Sequence, residues 1–244
     1  MRIAARLTGL ALLLLACLPA HLIARLFGRS PVPPLFLGWC GWIIGARVRT
    51  VGAPVRAPSL IVANHISWMD IFVLGGACRC AFVSKDDLGP GVLHWLADQN
   101  HTLYVKRSDR RGSKEQALAI ARALEGPQPV ALFPEGTVGP GDALLPFRPT
   151  LLEAASFAGP KVEIRPVALD YADATEISWH DEGARENFLR LLGRRGTTKV
   201  TVHLLPPLER GMNRKALAAA AHQAIAGALS ASSPATSRLY PASR

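Results

Sequence analysis

From Leu7 to Ala24 the chain runs LTGLALLLLACLPAHLIA, eighteen residues without a Lys, Arg, Asp or Glu. Arg2 and Arg6 precede this run, and Arg25 and Arg29 follow it. A second uncharged run, PLFLGWCGWIIGA, covers residues 34–46 and is closed by Arg47 and Arg49. Three arrangements compete. A cleaved signal peptide has the same basic start and apolar middle, and LLAC ahead of Leu18 resembles a lipoprotein processing site at Cys17. A membrane-spanning helix needs roughly 20 apolar residues, which the first run nearly supplies. The third arrangement is a pair of helices dipping into one leaflet. A signal peptide leaves the second run unexplained, and that run is too short to span. The expected arrangement is an uncleaved, membrane-associated helical pair joined near Pro31–Pro34 and occupying residues 1–49.

After residue 50 the pattern changes. Short apolar runs at 59–64, 80–85, 101–107, 129–136, 161–171 and 199–208 have strand length. Helical patterns at about 68–75, 91–99, 112–126, 150–159 and 213–231 separate them. The stretch 112–126 carries Ser113 at its start and Gly126–Pro127 as its stop. This alternation predicts an α/β domain over 50–231, a mixed or parallel sheet flanked by helices, followed by a frayed tail at 232–244. The 244 residues suffice for one such domain with a substantial core.

The 28 Lys and Arg against 18 Asp and Glu give a formal charge of +10, which favours anionic partners. The arginines are scattered, aromatic interleaving is sparse, and no helix-turn-helix or RNP pattern is present, so nucleic acid is not expected. Anionic lipid or a phosphate-bearing ligand fits better. Of the four cysteines, Cys78 and Cys80 form a C-x-C with no second pair to complete a zinc site, and reduced, structurally incidental cysteines are expected. No metal is expected.

Sites in open α/β sheets lie at the carboxyl ends of strands. Two polar clusters follow apolar runs: NHISWMD at 64–70 and FPEGT at 133–137. In one regular helix, His65 and Asp70 would point about 140° apart. If His65 ends a strand and the helix begins near Ser67, both converge. Asp70 then also completes an S-x-x-D capping box with Ser67, so a plain helix start accounts for the same residues. The alternative is a dyad, in which a carboxylate orients the imidazole and its other nitrogen takes a proton from a hydroxyl. In FPEGT, Gly136 admits close backbone approach and Glu135 can bind hydroxyls, although an ordinary strand-to-loop turn has the same composition. A basic cluster at Lys106, Arg107, Arg110 and Arg111 suits phosphate or a solvated loop.

Taken in order, NHISWMD, YVKR, FPEGT and IRPVAL resemble the glycerolipid acyltransferase family, over about residues 50–210. The family's first block, N-H-x-x-x-x-D, is matched by Asn64, His65 and Asp70. The second is matched by Tyr104 to Arg107, the third by Phe133 to Thr137, and the fourth by Pro166 in its apolar strand. The resemblance implies an O-acyltransferase in which His65 is general base and Asp70 orients it. Arg107 would bind the acceptor phosphate, and Glu135, Gly136 and Thr137 would position the acceptor head. The donor would be acyl-CoA or acyl carrier protein, with no cofactor and no metal. The implied place is the bacterial cytoplasmic (inner) membrane, with the site facing the cytoplasm.

The expected reaction makes phosphatidic acid from lysophosphatidic acid in phospholipid biosynthesis. Two departures stand out. His101 occupies the place of a block-two Gly, and Val138 the place of a block-three Arg that helps hold phosphate. Lys85 and Arg148 are then candidate helpers of Arg107. A branch of the family that acylates lyso-ornithine lipid lacks the same Arg, and GRRGTTKVTVHLLPPL at 193–208 is similar to that branch. Lyso-ornithine lipid is therefore the alternative acceptor. A non-catalytic lipoprotein binding anionic lipid is the reading of another class. A hydrolase lacks its G-x-S-x-G elbow.

Overall fold

Strand β2 (Ser59–Ala63) is buried along its whole length. A strand covered on both faces needs an unbroken apolar run, which SLIVA nearly supplies. In the computed structural model, which describes residues 1–85, 91–105 and 113–232, β2 lies mid-sheet between β5 (Val130–Leu132) and β6 (Glu163–Tyr171), parallel to both. With β1 (Ala46–Gly52), β3 (Ala81–Lys85), β4 (Leu103–Val105) and β7 (Thr198–Leu204), the described residues form one sheet in the order β1-β7-β6-β2-β5-β3-β4. Every pairing is parallel except β6 with β7, which is antiparallel.

Side-chain alternation along β2 divides the core into two layers. Ile61 and Ala63 join one cluster with Met69, Val73 and Leu74 of α3 (Met69–Cys78) and with Leu191 and Leu192 of α8 (Ala184–Gly193). Leu60 and Val62 join the other with Ile120 and Leu124 of α5 (Ser113–Leu124) and Leu217 and Ile225 of α9 (Arg214–Ser232). The mixed, helix-flanked sheet expected from the alternation is what the chain builds.

The two N-terminal apolar runs form α1 (Arg2–Leu26) and α2 (Val32–Ile44), with prolines at the start of α2. Proline is tolerated there because the first N–H groups of a helix have no intrahelical acceptor. Helix α1 is long and apolar enough to cross a membrane. Both of its ends are nevertheless tied to the α/β domain. The Arg6 guanidinium donates to the carbonyls of Leu191 and Leu192 at 2.8 and 3.0 Å, at the carboxyl end of α8. Near the other end, His21 and Arg25 both reach Gln99 Oε1, at 3.1 and 2.9 Å. Gln99 ends α4 (Val92–Gln99). Between these ties, Leu12, Leu15 and Ile23 are about 60% exposed. Trp39 and Trp42 of α2 and Val92 and Leu93 of α4 add further exposed apolar surface.

Two boundaries differ from expectation. The domain limit at residue 49 falls inside β1, which pairs with β7 residue by residue. Arg47 and Arg49 mark the end of an apolar run in the sequence, but β1 is an edge strand and carries such charges outward. The helix expected at 150–159 is instead a 3-10 turn (Pro149–Leu152) followed by the short α6 (Ala154–Phe157).

Helix α2 reaches α3 through glycines: a Cβ on Gly76 would stand 2.5 Å from the Gly38 Cα. Gly76→Ala is therefore expected to destabilise by about 1–3 kcal/mol through overpacking. Gly227, inside α9 with nothing near its Cβ position, should gain about 0.5–1 kcal/mol as Ala. Denaturant unfolding in detergent checks both, and effects of the same sign would refute the close packing.

Candidate active site

Beyond Ala63 the chain leaves β2 but stays bound to β6. Asn64 donates from Nδ2 to the Leu169 carbonyl at 3.0 Å and accepts from the Leu169 N–H at 2.7 Å. A side chain thus continues the strand pairing by one step, while the backbone is released to turn. Helix α3 starts at Met69, so His65, Ile66 and Ser67 form a non-helical turn. That turn brings the rings and carboxylates at 65 and 70 together.

His65 Nδ1 lies 2.8 Å from Asp70 Oδ2. Oδ2 also accepts the N–H groups of Ile66 at 2.8 Å and Ser67 at 3.0 Å. Oδ1 accepts the Tyr171 hydroxyl at 2.6 Å, from the end of β6. Four donors therefore satisfy a carboxylate with no solvent exposure. Burial and the adjacent Asp70 charge push the Tyr171 phenol well above its ordinary range, so it stays a donor. One carboxylate ties the turn and meets the imidazole, but the expected capping box at Ser67 is not closed: α3 is capped at Trp68 without a side-chain bond, and the Asp70 N–H donates to the Ser67 carbonyl rather than to its hydroxyl. Ser67 itself accepts the Met69 N–H at 3.3 Å. With Nδ1–H on Asp70, His65 keeps Nε2 free as a base.

FPEGT, at the carboxyl end of β5, holds His65 from behind. The imidazole stacks on Phe133 with centroids 4.2 Å apart. The His65 N–H donates to Glu135 Oε1 at 2.7 Å, and its carbonyl accepts the Gly139 N–H at 2.7 Å. Glu135 Oε2 accepts the Leu145 N–H at 3.2 Å. Glu135 is 2% exposed, and its carboxylate faces backbone rather than open space. Burial pushes its carboxyl up to about 7, against the lowering pull of those two N–H groups. Thr137 is exposed, and Gly136 adopts φ +74°. Pro166 stands opposite Val62 in β6, in the core that supports the turn. Lys85 ends β3 opposite Val105. The Lys85 side chain, and Lys106, Arg107, Arg110 and Arg111, lie outside the described residues.

Several supporting residues carry no sequence signal. Tyr171 is one. Asn187 is another: fully buried, it accepts Trp68 Nε1–H at 2.7 Å and donates to the Ser178 carbonyl at 3.1 Å. Ser178 in turn donates to the Gly139 carbonyl at 2.8 Å. The partners stand 9, 39 and 119 residues apart, and no spacing rule links them.

An apolar cavity of about 360 Å³ opens between the N-terminal helices and the domain, and Trp68 and Ile71, which flank Asp70 in sequence, line it while His65 and Asp70 do not. Its walls include Leu14, Phe36, Phe72, Phe82, Leu93 and Phe188. Phe82 lies 6.3 Å from Phe133, the ring that carries His65.

Residues 47–170 match the family model described as Acyltransferase. The chain is 33% identical over 247 residues to the lyso-ornithine lipid O-acyltransferase of Rhodobacter capsulatus, covering 92% of this chain and 88% of that one. It is 35% identical over 117 residues to the 1-acyl-sn-glycerol-3-phosphate acyltransferase of Neisseria gonorrhoeae, covering 48% and 45%. In fold it is similar to the crystal structure of the 1-acyl-sn-glycerophosphate acyltransferase PlsC from Thermotoga maritima. That match has TM-score 0.60 and 20% identity over 93% of this chain and 98% of that one.

Raising an acid's folded pKa stabilises the protein below the unfolded value, and the gain is lost as pH rises through the folded value. Glu135 should therefore contribute stability that declines between its ordinary 4.5 and about 7. Glu135→Gln removes that dependence. The stability of wild type minus variant should fall across pH 5–7 and level off above, by denaturant titration. A difference that rises with pH would contradict the burial of this carboxyl.

Proposed function

Because the chain belongs to the acyltransferase family, we propose that it moves an acyl group from a thioester to the free hydroxyl of a membrane lysolipid. The observation carrying this reading is the 2.8 Å contact between His65 and the fully buried Asp70, in a turn whose neighbouring residues Trp68 and Ile71 line an apolar cavity. His65 Nε2 takes the proton of the acceptor hydroxyl as its oxygen attacks the thioester carbonyl. Asp70 stabilises the imidazolium. When the tetrahedral intermediate collapses, the C–S bond breaks and the imidazolium returns the proton to the departing thiolate. No covalent enzyme intermediate is needed. The cavity takes an acyl chain, since its walls are aliphatic and aromatic. The donor is acyl-CoA or acyl carrier protein.

For the acceptor we favour lyso-ornithine lipid. Val138 supports it, as does a similarity that spans most of the chain. Lysophosphatidic acid is the second reading, supported by the Neisseria relative, whose match covers less of the chain. Arg107 is a proposed phosphate or carboxylate partner, with Lys85 as a second candidate cation. Glu135 and Gly136 shape the loop that holds His65, and Thr137 offers a hydroxyl at its exposed turn.

The protein acts on a membrane. The ties at Arg6 and at His21–Arg25 are nineteen residues apart at most, and both keep α1 against the domain. We propose that the helix lies along one leaflet on the cytoplasmic side, with its exposed leucines in acyl chains and its arginines at head groups; the ties at both ends support this placement.

Purified protein in detergent, offered labelled acyl donor with lyso-ornithine lipid and lysophosphatidic acid in parallel, tests the reaction. His65→Ala should lower turnover by at least about a hundredfold while retaining the fold, and Asp70→Ala should lower it as far with a loss of stability besides, because four donors lose their acceptor. Turnover retained in folded His65→Ala protein would remove the general base. Cysteines placed at Arg2 and at Phe27 test the membrane geometry. In sealed vesicles an impermeant maleimide should reach both from the same side, whereas a spanning helix would expose them on opposite sides.

A further inference from the structure

Arg148 follows the PEGT loop and is fixed to it. Its N–H donates to the Pro134 carbonyl at 2.8 Å. Its side chain then lies over the turn at Gly136: a Cβ on that glycine would stand 3.2 Å from Arg148 Cδ and Nε and 3.3 Å from Cζ. Gly136 is held at φ +74°, a conformation that side-chain-bearing residues rarely adopt. The glycine thus serves both the turn and the approach of the guanidinium.

This guanidinium is exposed, and among the described residues it has no hydrogen-bonded or ion-paired side chain. Glu135, one residue from Gly136, offers it no counter-ion, because both carboxylate oxygens are turned inward onto the backbone of His65 and Leu145. The neighbour at position 138 is a half-buried valine. The carboxyl end of β5 therefore presents an uncompensated arginine on the same loop that grips His65. A planar fork of donors with no protein acceptor is suited to a bidentate oxyanion.

Resting on the reading of the site as a lysolipid acyltransferase, we infer that Arg148 binds the acidic group of the acceptor head and selects for acceptors that carry one. Carboxylate and phosphate present the same pair of oxygens to a guanidinium, so one side chain serves an amino-acid head or a phosphate head. The hydroxyl to be acylated is then held near His65 Nε2 by its own head group, and Gly136 fixes the reach of the arginine. The role is one of binding, and proton transfer stays with His65.

Equilibrium binding to the full chain in detergent tests this, with His65→Ala present in every sample to prevent turnover. The probes are lyso-ornithine lipid (carboxylate), lysophosphatidic acid (phosphate) and a monoacylglycerol (no charge). Arg148→Gln should weaken at least one acidic probe by about tenfold to a hundredfold, while the neutral probe changes by less than about twofold. Which acidic probe responds identifies the oxyanion. Arg148→Lys should recover part of the loss, because charge without the fork remains. Unchanged binding of both acidic probes would overturn the inference. So would an equal loss on all three probes, which would mark Arg148 as structural. Acyl transfer by protein retaining His65 is measured separately. Failure there would sink the catalytic reading, while the binding result would still decide the part played by Arg148.

Discussion

The buried carboxylate of Asp70 governs the active end of this sheet. An ionised group without solvent contact needs several donors to offset its lost hydration. Asp70 has four, three from the turn after β2 and one from the end of β6. Each donor also benefits from the arrangement. The Ile66 and Ser67 amides gain an acceptor in a turn that has left the strand ladder and not yet entered the helix. The phenol of Tyr171 is satisfied in the core, and the imidazole is fixed in one tautomer. Removing the carboxylate would orphan all of them together, so stability and chemistry share a single group.

The support around His65 comes largely through its backbone. Glu135 and Gly139 hold the N–H and carbonyl of His65 from opposite sides, while Phe133 supports the ring. FPEGT therefore acts on the histidine before it acts on any ligand. The parallel pairing of β2 with β5 makes this possible, because it brings two carboxyl-terminal loops to the same edge of the sheet. Burying Glu135 raises its carboxyl to about 7, which is tolerated because two amides bind it. The antiparallel β6–β7 pairing ends near the same edge, and Tyr171 enters from there.

Much of this was legible in the amino-acid order. Apolar runs marked β2, β5 and β6, and the spacing of His65 and Asp70 indicated that they meet only if a turn separates them. The clustering of polar residues after SLIVA and VAL located both loops. What escaped were contacts made across the sheet between residues far apart in the chain. Tyr171 reads as the last apolar position of a strand, and Asn187 as one polar residue on an amphipathic helix. Strand β1 escaped because its arginines look like the close of an apolar segment. Glu135 reads as a carboxylate available for hydroxyls, and only the fold turns it inward. Local patterns record periodicity and turn chemistry. They do not record which distant donor satisfies a buried oxygen.

Helix α1 joins the α/β domain near both of its ends, at the carboxyl end of α8 and at Gln99 of α4. An anchor attached through a flexible tether would let its enzyme float at a range of heights above a bilayer. Two fixed points remove that freedom and make the anchor and His65 one rigid body. The depth at which the leucines of α1 settle then sets the altitude of the imidazole above the acyl chains. A lipid hydroxyl is reached only if its own distance from the hydrocarbon matches that altitude. On the proposed membrane placement, the bilayer would take part in choosing the substrate, acting as a ruler laid alongside the protein.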